Sequence, residues 1–599
     1  MNGDTGGAPA GVTAGPPASP ASRPPLRERA PLVLRHYVPI LGWLPAYPRD
    51  ALRPDLVAGL TSWGVMVPVA LAYAGLAGVP PELGLATAFA ALAAYAVFGT
   101  SRHVKVTVSS TMAITSASIV MDIASGDPVL FVAETAALAI IVGLILLAGG
   151  IARLGFISDF LSKSVITGFI FGVAITITVG QIPKLLGIPS TSGSVPEQVE
   201  GILRGLDETD PTTLAVGLVA LGIILGLRAI SPRIPGALVV LVLGIAGAKA
   251  LNLDAHGVSL VGEIATGIGK PGIPDIPISA IPALVLGAAG IVFLAIGETV
   301  GVGRSFADKH RYEIDPDQEL VALGAANLSS GLFGGFAVDA SLSQTATAEA
   351  AGTRTQLSSL ITSGLILATA LILAPIFTDL PNAVLGAIVI AAALGLMDWK
   401  EMRRFWRWRR TDFVVAVAAL AGVVLFGVLP GLLVAVVLSV SFLLYRASRP
   451  YVAALGTLPG PERVFGDLAR HPQAGPVPGI VILRVDAPLY FFNANVAHTQ
   501  ILRLVDAPDP RPRAVVIDLA ATGDLDVTTA DMVAALVRDM QERGITLVFA
   551  QVRGPVRDRL RRMGLMEAVS EGGIYASVGA AVDGLRPEPG QDREPPPEA

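Results

Sequence analysis

Two neighbouring stretches decide the fold: LVLGAAGIVFLAIGETV (residues 284–300) and GGFAVDASLSQTATAEAAGTRT (residues 334–355). The first is an apolar run of membrane-helix character with one carboxyl group, Glu298, near its end. The second is bracketed by glycines and is too polar to face lipid. An ionisable group inside a membrane helix indicates a functional site, and a short interrupted helix offers free N–H groups at its positive end. Together the stretches predict a place where an anion and a coupling cation meet.

The composition sets the class of protein. Of the 599 residues, 52% are hydrophobic and only 15% are charged, whereas about a quarter are charged in soluble domains. The apolar residues concentrate between residues 51 and 446, which indicates a polytopic membrane protein. The net charge of -5 argues against a nucleic-acid partner, and the absence of cysteine excludes disulfides and thiolate metal sites. The six histidines are scattered, without metal-ligand spacing.

Four regions are predicted along the chain. Residues 1–50 form a cytoplasmic N-terminus, disordered at first and then basic and amphipathic over 27–47, as in a helix on the inner membrane face. Residues 51–449 form the transmembrane domain, residues 475–586 a cytoplasmic α/β domain, and residues 587–599 a disordered tail. No cleavable signal peptide is visible.

Fourteen stretches are assigned to the membrane, since crossing a ~30 Å hydrocarbon layer takes about 20 residues. They are placed at 52–76, 82–99, 106–122, 127–149, 164–181, 212–229, 234–251, 279–303, 318–335, 341–352, 357–374, 380–397, 412–428 and 430–448. With the N-terminus inside, about sixteen basic residues, Lys105 among them, fall in inner loops and about four in outer loops. This bias predicts an even number of crossings and places both termini in the cytoplasm.

The fourteen segments divide into two sets of seven, and because seven is odd the second set must be inverted. Two Ser/Thr/Ala-rich interruptions, 107–117 and 339–350, then fall third in each set. Interrupted segments at matching positions of two halves indicate a transporter site at the midplane, although small residues can also serve only close helix packing. Pro68 breaks the first segment, so Tyr73 beyond it either reaches this site or packs as an ordinary aromatic.

The region after residue 449 alternates strands and helices. PGIVILRVDAPLYFFNANV predicts two short strands separated by a turn at 486–488. AVVIDLAA and ITLVFAQV predict buried strands, and MVAALVRDMQERG and PVRDRLRRMGL predict helices. This pattern predicts an α/β domain of about 110 residues. Neither nucleotide-binding glycine motif is present, so nucleotide hydrolysis has no support.

Several motifs in order resemble the SulP family of anion transporters (sulfate permeases, solute carrier family 26). They are DLVAGLTSWGVMVPVALAYAGLAGVP, FGTSRH, VGQIPKLLG, GETVGVGRSFADKHRYEIDPDQELVALGAANLSSGLFGGF and SLSQTA. RVDAPLYFFNAN and DLDVTTAD resemble a STAS domain, and the likeness covers residues 41–585. The resemblance implies seven plus seven inverted repeats, with segments one to four and eight to eleven forming a core domain and the others a gate domain. It also implies homodimers and an elevator-like movement of core against gate.

By the same resemblance, the substrate lies between the N-termini of the third and tenth segments, close to the first and eighth. The matching residues are Ser109, Ser110, Thr111, Ser341, Leu342, Ser343, Gln344 and Thr345. Glu298 matches the carboxylate that serves cation coupling in relatives. The chain departs from the family at Val69, where many bacterial relatives have Glu or Gln, and at Val106-Thr107-Val108-Ser109, where many have a Gly-Pro pair. It also has Gln344 where many have a basic residue, which leaves helix dipoles, N–H groups and hydroxyls to hold the anion.

The coupling ion is expected to be H⁺ rather than Na⁺. A buried carboxyl group without an ionic partner favours its neutral form, so Glu298 can take a proton outside and release it inside. Its helical neighbours suit sodium poorly, because Val302 is apolar and Thr299 points about 100° away; Ser343, Thr345 and backbone carbonyls remain available for a sodium site. The structural alternative is an ion pair with Arg304. In the STAS domain, Thr528 is either a regulatory phosphorylation site or the cap of the following helix.

These features predict a secondary active transporter of a small anion in the cell membrane, with no cofactor. Sulfate, bicarbonate, chloride, nitrate and dicarboxylates all suit a neutral, dipole-lined site. The alternatives are an uncoupled anion channel or exchanger, or a voltage-responsive membrane motor. A uracil or xanthine permease shares the fold but lacks the STAS tail. No nucleophile–base pair or metal cluster supports an enzyme.

Overall fold

The computed structural model describes residues 37–124, 126–156, 162–191, 194–230, 236–262, 266–460, 464–565 and 573–586. Two compact units follow each other along the chain, Met1–Ser439 and Val440–Ala599. The first unit is almost entirely helical, and the second contains a six-stranded sheet.

The membrane region contains sixteen helices and two short strands within the described residues. The helices are α1 (Leu52–Ala77), α2 (Pro81–Phe98), α3 (Ser110–Ile123), α4 (Pro128–Ile151), α5 (Lys163–Leu186), α6 (Val195–Gly205), α7 (Pro211–Ile230), α8 (Gly236–Leu251), α9 (Ile281–His310), α10 (Pro316–Leu332), α11 (Leu342–Ala350), α12 (Leu357–Ala368), α13 (Asn382–Leu396), α14 (Trp399–Trp408), α15 (Arg410–Phe426) and α16 (Val428–Ala447). The strands are β1 (Val106–Thr107) and β2 (Asp339–Ala340). Each of the fourteen predicted segments coincides with a helix, and α6 and α14 are additional, so the predicted polytopic helical fold is confirmed.

Helix length separates full spans from half spans. In the described part of the chain, eight helical stretches are long and apolar enough to cross a membrane, including those that contain α1, α4 and α9. In contrast, α3 has 14 residues and α11 has 9. At 1.5 Å per residue they measure about 21 and 14 Å, so each covers only part of a ~30 Å layer.

The two halves of the membrane region share the same local pattern. A 3₁₀ turn runs directly into the first helix of each half, Arg49–Ala51 into α1 and Ile278–Ala280 into α9. The next helix, α2 or α10, starts with a proline in its first turn. A two-residue strand and a short capped helix follow in both halves. This repetition matches the predicted sets of seven segments.

Small residues bring α4 and α10 into close contact. A Cβ atom on Gly143 would lie 2.6 Å from the backbone nitrogen of Leu328, and one on Gly324 would lie 2.8 Å from the carbonyl oxygen of Gly143. Only glycine permits this approach, which is how membrane helices gain packing energy without a hydrophobic driving force. Helix α4 belongs to the first half of the membrane region and α10 to the second, so their contact joins the two halves.

A buried carboxylate positions the loop that leads to β1. Glu319 on α10 is fully buried and accepts hydrogen bonds from the hydroxyl of Tyr95 (2.6 Å), the backbone N–H of Thr100 (2.8 Å) and the backbone N–H of Ser101 (3.1 Å). The Thr100 hydroxyl donates a further bond at 2.5 Å. With four donors the carboxylate compensates its own desolvation, and it fixes the path of the chain from α2 to β1.

The second unit has a mixed sheet with helices around it. Its strands are β3 (Val452–Thr457), β4 (Phe465–Asp467), β5 (Ile480–Val485), β6 (Ala514–Asp518), β7 (Thr546–Ala550) and β8 (Ile574–Tyr575), and its helices are α17 (Ala494–Asp506), α18 (Val527–Glu542), α19 (Gly554–Arg562) and α20 (Val578–Gly584). The order is β4-β3-β5-β6-β7-β8, parallel from β5 to β8, with β3 antiparallel to both its neighbours. Apolar clusters cover both faces of the sheet, as an α/β domain requires.

Two predictions differ from the structure outside the membrane site. The sheet begins at Val452, two strands before the predicted start at residue 475. The predicted second strand after 486–488 is instead a turn followed by α17, because the side chain of Asn493 accepts the N–H of Tyr490 and donates to the carbonyl oxygen of Pro488. The amphipathic segment 27–47 falls largely outside the described residues, and the rest contains one helical turn, Ile40–Trp43. The predicted tails, 1–26 and 587–599, also lie outside them.

Candidate functional site

An antiparallel strand pair joins the two half spans. In this strand pair, β1 and β2, Val106 stands opposite Ala340 and Thr107 opposite Asp339. Because the strands run in opposite directions, α3 and α11 leave from opposite ends and both keep their N-termini at the centre. Short helices arranged this way direct free N–H groups and the positive ends of their dipoles to one point.

A serine caps each half span. The side chain of Ser109 accepts the N–H of Met112 at 3.2 Å, and that of Ser341 accepts the N–H of Gln344 at 3.4 Å. Each cap satisfies one of the donors in its first turn, while the first N–H groups of a helix have no partner within the helix. Those remaining donors suit an anion.

The first turn of α11 bonds back to the chain before α3. The N–H of Ser341 donates to the carbonyl oxygen of Lys105 at 3.0 Å, and the N–H of Lys105 donates to Oγ1 of Thr345 at 3.0 Å. Nε2 of Gln344 donates to the carbonyl oxygen of Val108 at 3.3 Å. The side chains of Gln344 and Thr345 are buried, so both serve the junction between the half spans.

Other predicted substrate residues differ in exposure. Leu342 and Ser343 are exposed at the start of α11, which makes them the open side of the junction. Ser110 and Thr111 are buried in the first turn of α3. Tyr73, past the Pro68 break in α1, is buried and its hydroxyl interacts with Ser110. The structure therefore brings together residues from α1, α3 and α11 that are far apart in the sequence.

Glu298 and its neighbour Thr299 both approach β2. The carboxyl group of Glu298 interacts with that of Asp339, the strongest charged influence on it. The prediction that Thr299 points elsewhere is wrong: it is buried, and its Oγ1 accepts the N–H of Ala340 at 3.1 Å. Adjacent residues on a helix diverge by about 100°, but a strand lying across the helix can contact both. This places α9 directly against the strand pair.

Asp339 is the functional candidate that the sequence interpretation missed. It is fully buried, and in the described part of the chain no hydrogen bond of normal geometry reaches its carboxylate oxygens, although the Ser109 hydroxyl interacts with it. It belongs to the interrupted stretch 339–350, which was interpreted through its serines and threonines. The rule that an intramembrane carboxyl group is functional by default applies to Asp339 as it does to Glu298, and would have found it.

Lys105 does not lie in an exposed inner loop as predicted. Its side chain is fully buried, and Nζ donates to the hydroxyls of Ser358 at 2.6 Å and Ser359 at 2.7 Å. The ammonium group is therefore directed to the start of α12, whereas the backbone of the same residue holds α11. Within the described residues no group of three or more metal-ligating side chains is present.

A histidine pair joins the loop before β1, which holds His103, to the end of α9, which holds His310. The rings of His103 and His310 stack with their centroids 4.1 Å apart, and His103 also contacts the hydroxyl of Tyr312 at 3.3 Å. Burial, followed by the electrostatic influence of His310, lowers the pKa of His103 to about 4. His103 is therefore neutral in the folded protein at physiological pH.

In the second unit, the alternative in which Thr528 caps α18 is wrong. The cap is Asp526, whose carboxylate accepts the N–H of Thr529 and the N–H of Phe491, both at 2.7 Å. These bonds outweigh burial and lower the pKa of Asp526. Thr528 lies exposed in the first turn of α18, so the regulatory role predicted for it remains a prediction.

A helical membrane fold of two repeats, with half spans that meet at a polar centre, is typical of secondary transporters. Residues 52–419 match the sulfate permease family, and residues 471–581 match the STAS domain. The chain belongs to the sulfate permease family, the family of anion transporters that its motifs resemble.

Similar proteins cover nearly the whole chain. A probable sulfate transporter of Mycobacterium tuberculosis (strain ATCC 25618 / H37Rv) is 34% identical over 551 residues, which is 91% of this chain and 98% of the relative. The high affinity sulfate transporter 1 of Stylosanthes hamata is 32% identical over 585 residues, 92% of this chain and 86% of the relative.

Solved structures share the fold. The murine solute carrier 26 family member A9 anion transporter, in its inward-facing state, superposes with a TM-score of 0.84 at 22% identity, covering 95% of this chain and 96% of that one. The transmembrane domain of the cyanobacterial bicarbonate transporter BicA gives a TM-score of 0.58 at 24% identity, covering 66% and 98%. At these identities the likeness concerns the fold alone.

Proposed function

We propose that this chain is a secondary active transporter that carries a small anion across the plasma membrane by proton symport. The observation that supports this most directly is the strand pair, which holds the N-termini of two half spans together beside the carboxyl group of Glu298. Helix N-termini bind anions, and a membrane-embedded carboxyl group can carry the coupling proton.

The substrate is a small inorganic or organic anion of the sulfate, bicarbonate or dicarboxylate class. The first turns of α3 and α11 carry hydroxyls and no basic side chain, so backbone N–H groups, helix dipoles and the exposed Ser343 hydroxyl hold the negative charge. Sulfate is the first anion to test, because the similar proteins from Mycobacterium tuberculosis and Stylosanthes hamata are named sulfate transporters.

Movement of the site follows the family pattern. The core consists of α1–α4 and α9–α12, and the gate consists of α5, α7, α8, α13, α15 and α16. The core carries the strand pair, so the two half spans move as one body past the gate in an elevator-like step. The transporter works as a homodimer with both termini in the cytoplasm. Glu298 takes up a proton with the anion outside and releases it inside.

Proteoliposomes test this function. Purified protein is reconstituted, and uptake of labelled sulfate, bicarbonate and succinate is measured under separately imposed pH and sodium gradients. A one-unit pH gradient should accumulate the substrate about tenfold for each coupled proton at zero membrane potential. Sodium gradients should have no effect. A large, non-saturating anion conductance that ignores both gradients would instead indicate the channel or motor alternative.

Glu298→Gln tests the coupling residue. The amide keeps the shape of the side chain but cannot bind or release a proton, so gradient-driven accumulation should disappear while anion binding persists. Glu134→Gln is the matched control, because Glu134 is a carboxyl group of another membrane helix, α4, where it is buried. The control should accumulate the anion like the wild type. Unchanged accumulation in Glu298→Gln would show that another group carries the proton.

A further inference from the structure

A second carboxyl group lies against Glu298. Asp339 in β2 is fully buried, and its carboxyl group interacts directly with that of Glu298 on α9. Because Asp339 stands opposite Thr107 in the strand pair, this contact lies where the N-termini of α3 and α11 meet. Glu298 and Asp339 together are called the carboxyl pair below.

The Ser109 hydroxyl interacts with Asp339, but in the described part of the chain no hydrogen bond of normal geometry reaches the contact. Both oxygens of Asp339 and Oε1 of Glu298 are buried without a hydrogen-bond partner among the described residues. Ionised carboxylates are acceptors only, so they cannot bond to each other until one of them carries a proton. Two adjacent buried negative charges are also strongly unfavourable. One proton between the groups supplies the missing donor and removes one of the charges.

The titratable groups on the surrounding elements do not neutralise the carboxyl pair. On α1, the Tyr73 hydroxyl interacts with Ser110. In the loop before β1, the ammonium group of Lys105 donates to Ser358 and Ser359 on α12. Within the described residues, Tyr73 lies close enough to feel the charge of Asp339, whereas the ammonium group of Lys105 is directed to the two serines and forms no ion pair with the carboxyl pair.

We propose that the carboxyl pair holds one shared proton when the site is empty and binds a second proton when the anion enters. This inference rests on the proton-coupled transport proposed above and identifies Asp339 as a second coupling residue. A pair with one proton has a net charge of -1 and repels the anion, whereas a pair with two protons is neutral. Anion binding and binding of the second proton therefore favour each other.

The two side chains differ in exposure, and this difference determines which of them exchanges the second proton with water. Glu298 is partly exposed and Asp339 is fully buried, so the second proton enters and leaves through Glu298. On binding, an O–H bond forms on the Glu298 carboxylate. On release that bond breaks and the proton passes to water, while the first proton stays between the two groups. No group is oxidised or reduced in this cycle.

Isothermal titration calorimetry measures the coupling. Sodium-free sulfate, and then succinate, is titrated into detergent-purified full-length protein in buffers of different ionisation enthalpy, which gives the number of protons taken up per anion. The wild type should take up about one proton, and its dissociation constant should rise about tenfold per pH unit above the pH where the second proton is lost. Asp339→Asn should take up none and vary less than about twofold over the same range, because a lone Glu298 stays neutral.

Three further variants complete the design. Glu298→Gln should also abolish proton uptake, and the double variant should behave like either single variant, since each removes the same pair. Glu134→Gln should take up one proton like the wild type. Because Glu298→Gln disrupts the same contact from the other side, the inference can be tested even if Asp339→Asn does not fold.

The outcomes separate the inference from the function on which it rests. Uptake of one proton by Asp339→Asn, with the wild-type pH dependence, would overturn the carboxyl pair and leave Glu298 as the sole coupling group. A wild type that binds neither probe, or that binds only with sodium and without proton uptake, would overturn both the carboxyl pair and the proton-coupled function.

Discussion

Replacing Thr299 with valine tests whether α9 and β2 act as one unit. Oγ1 of Thr299 accepts the N–H of Ala340 at 3.1 Å, and both residues are buried. Valine has nearly the same shape but no acceptor, so the N–H of Ala340 loses its partner. A buried donor left unsatisfied costs about 1–3 kcal/mol. Thr299→Val should therefore lower the melting temperature of the detergent-purified protein.

The same change should weaken the site, because Ala340 follows Asp339 directly in β2. If the whole cost falls on the arrangement of the strand pair, anion affinity decreases by about 5- to 150-fold. Affinity is measured by titration with sulfate, and stability by thermal unfolding. Thr299→Ser keeps the hydroxyl and should remain close to the wild type in both measurements.

Two results would refute this reasoning. Wild-type stability and affinity in Thr299→Val would mean that the hydrogen bond contributes nothing. Greater damage in Thr299→Ser than in Thr299→Val would mean that the packing of the threonine methyl group, which serine lacks and valine keeps, matters more than the bond to Ala340.

The remaining predictions concern residues outside the membrane core. Asp526→Ala removes the cap of α18 and should weaken this helix by about 1–2 kcal/mol, measured as faster amide hydrogen exchange of residues 527–542 in the full-length chain; Thr528→Ala should change it by less than about 0.5 kcal/mol. Exchange that is faster in Thr528→Ala than in Asp526→Ala would contradict the assignment of the cap. For His103, the pKa is about 4 when folded and about 6.5 when unfolded, so the unfolded state binds more protons between these values and stability falls as the pH drops through this window. Between pH 7 and pH 5, the melting temperature of His103→Asn should decrease less than that of the wild type. Identical decreases would contradict the pKa shift.

Most of the membrane helices were predictable because the bilayer imposes strong constraints. A span requires about 20 apolar residues, and this requirement located most of the helices between α1 and α16, although not the short α6 and α14. The two half spans, α3 and α11, were recognisable because Ser, Thr and Ala replaced large apolar residues at matching positions. Composition and spacing were sufficient for this part of the fold and for the approximate position of the site.

The contacts inside the site were not predictable in the same way. A helical projection separates Thr299 from Glu298, but it does not include a strand that crosses the helix and contacts both. Counting charges places Lys105 in an exposed loop. Hydropathy does not reveal that two serine hydroxyls on α12 accept hydrogen bonds from its buried ammonium group. The pairing of Asp339 with Glu298 likewise depends on the register of the strand pair, which joins segments from opposite halves.

The strand pair also determines when the site can exist during biosynthesis. Lys105 and its partner Thr345 are 240 residues apart, and ribosomes add about 5–20 residues per second, so the partner follows roughly 12–48 s later. Throughout that interval the backbone groups of β1 must find water or temporary partners, because unsatisfied groups in lipid are costly. The first half of the chain thus inserts with its polar centre incomplete. A nascent chain that stops before β2 contains α3 but no anion site.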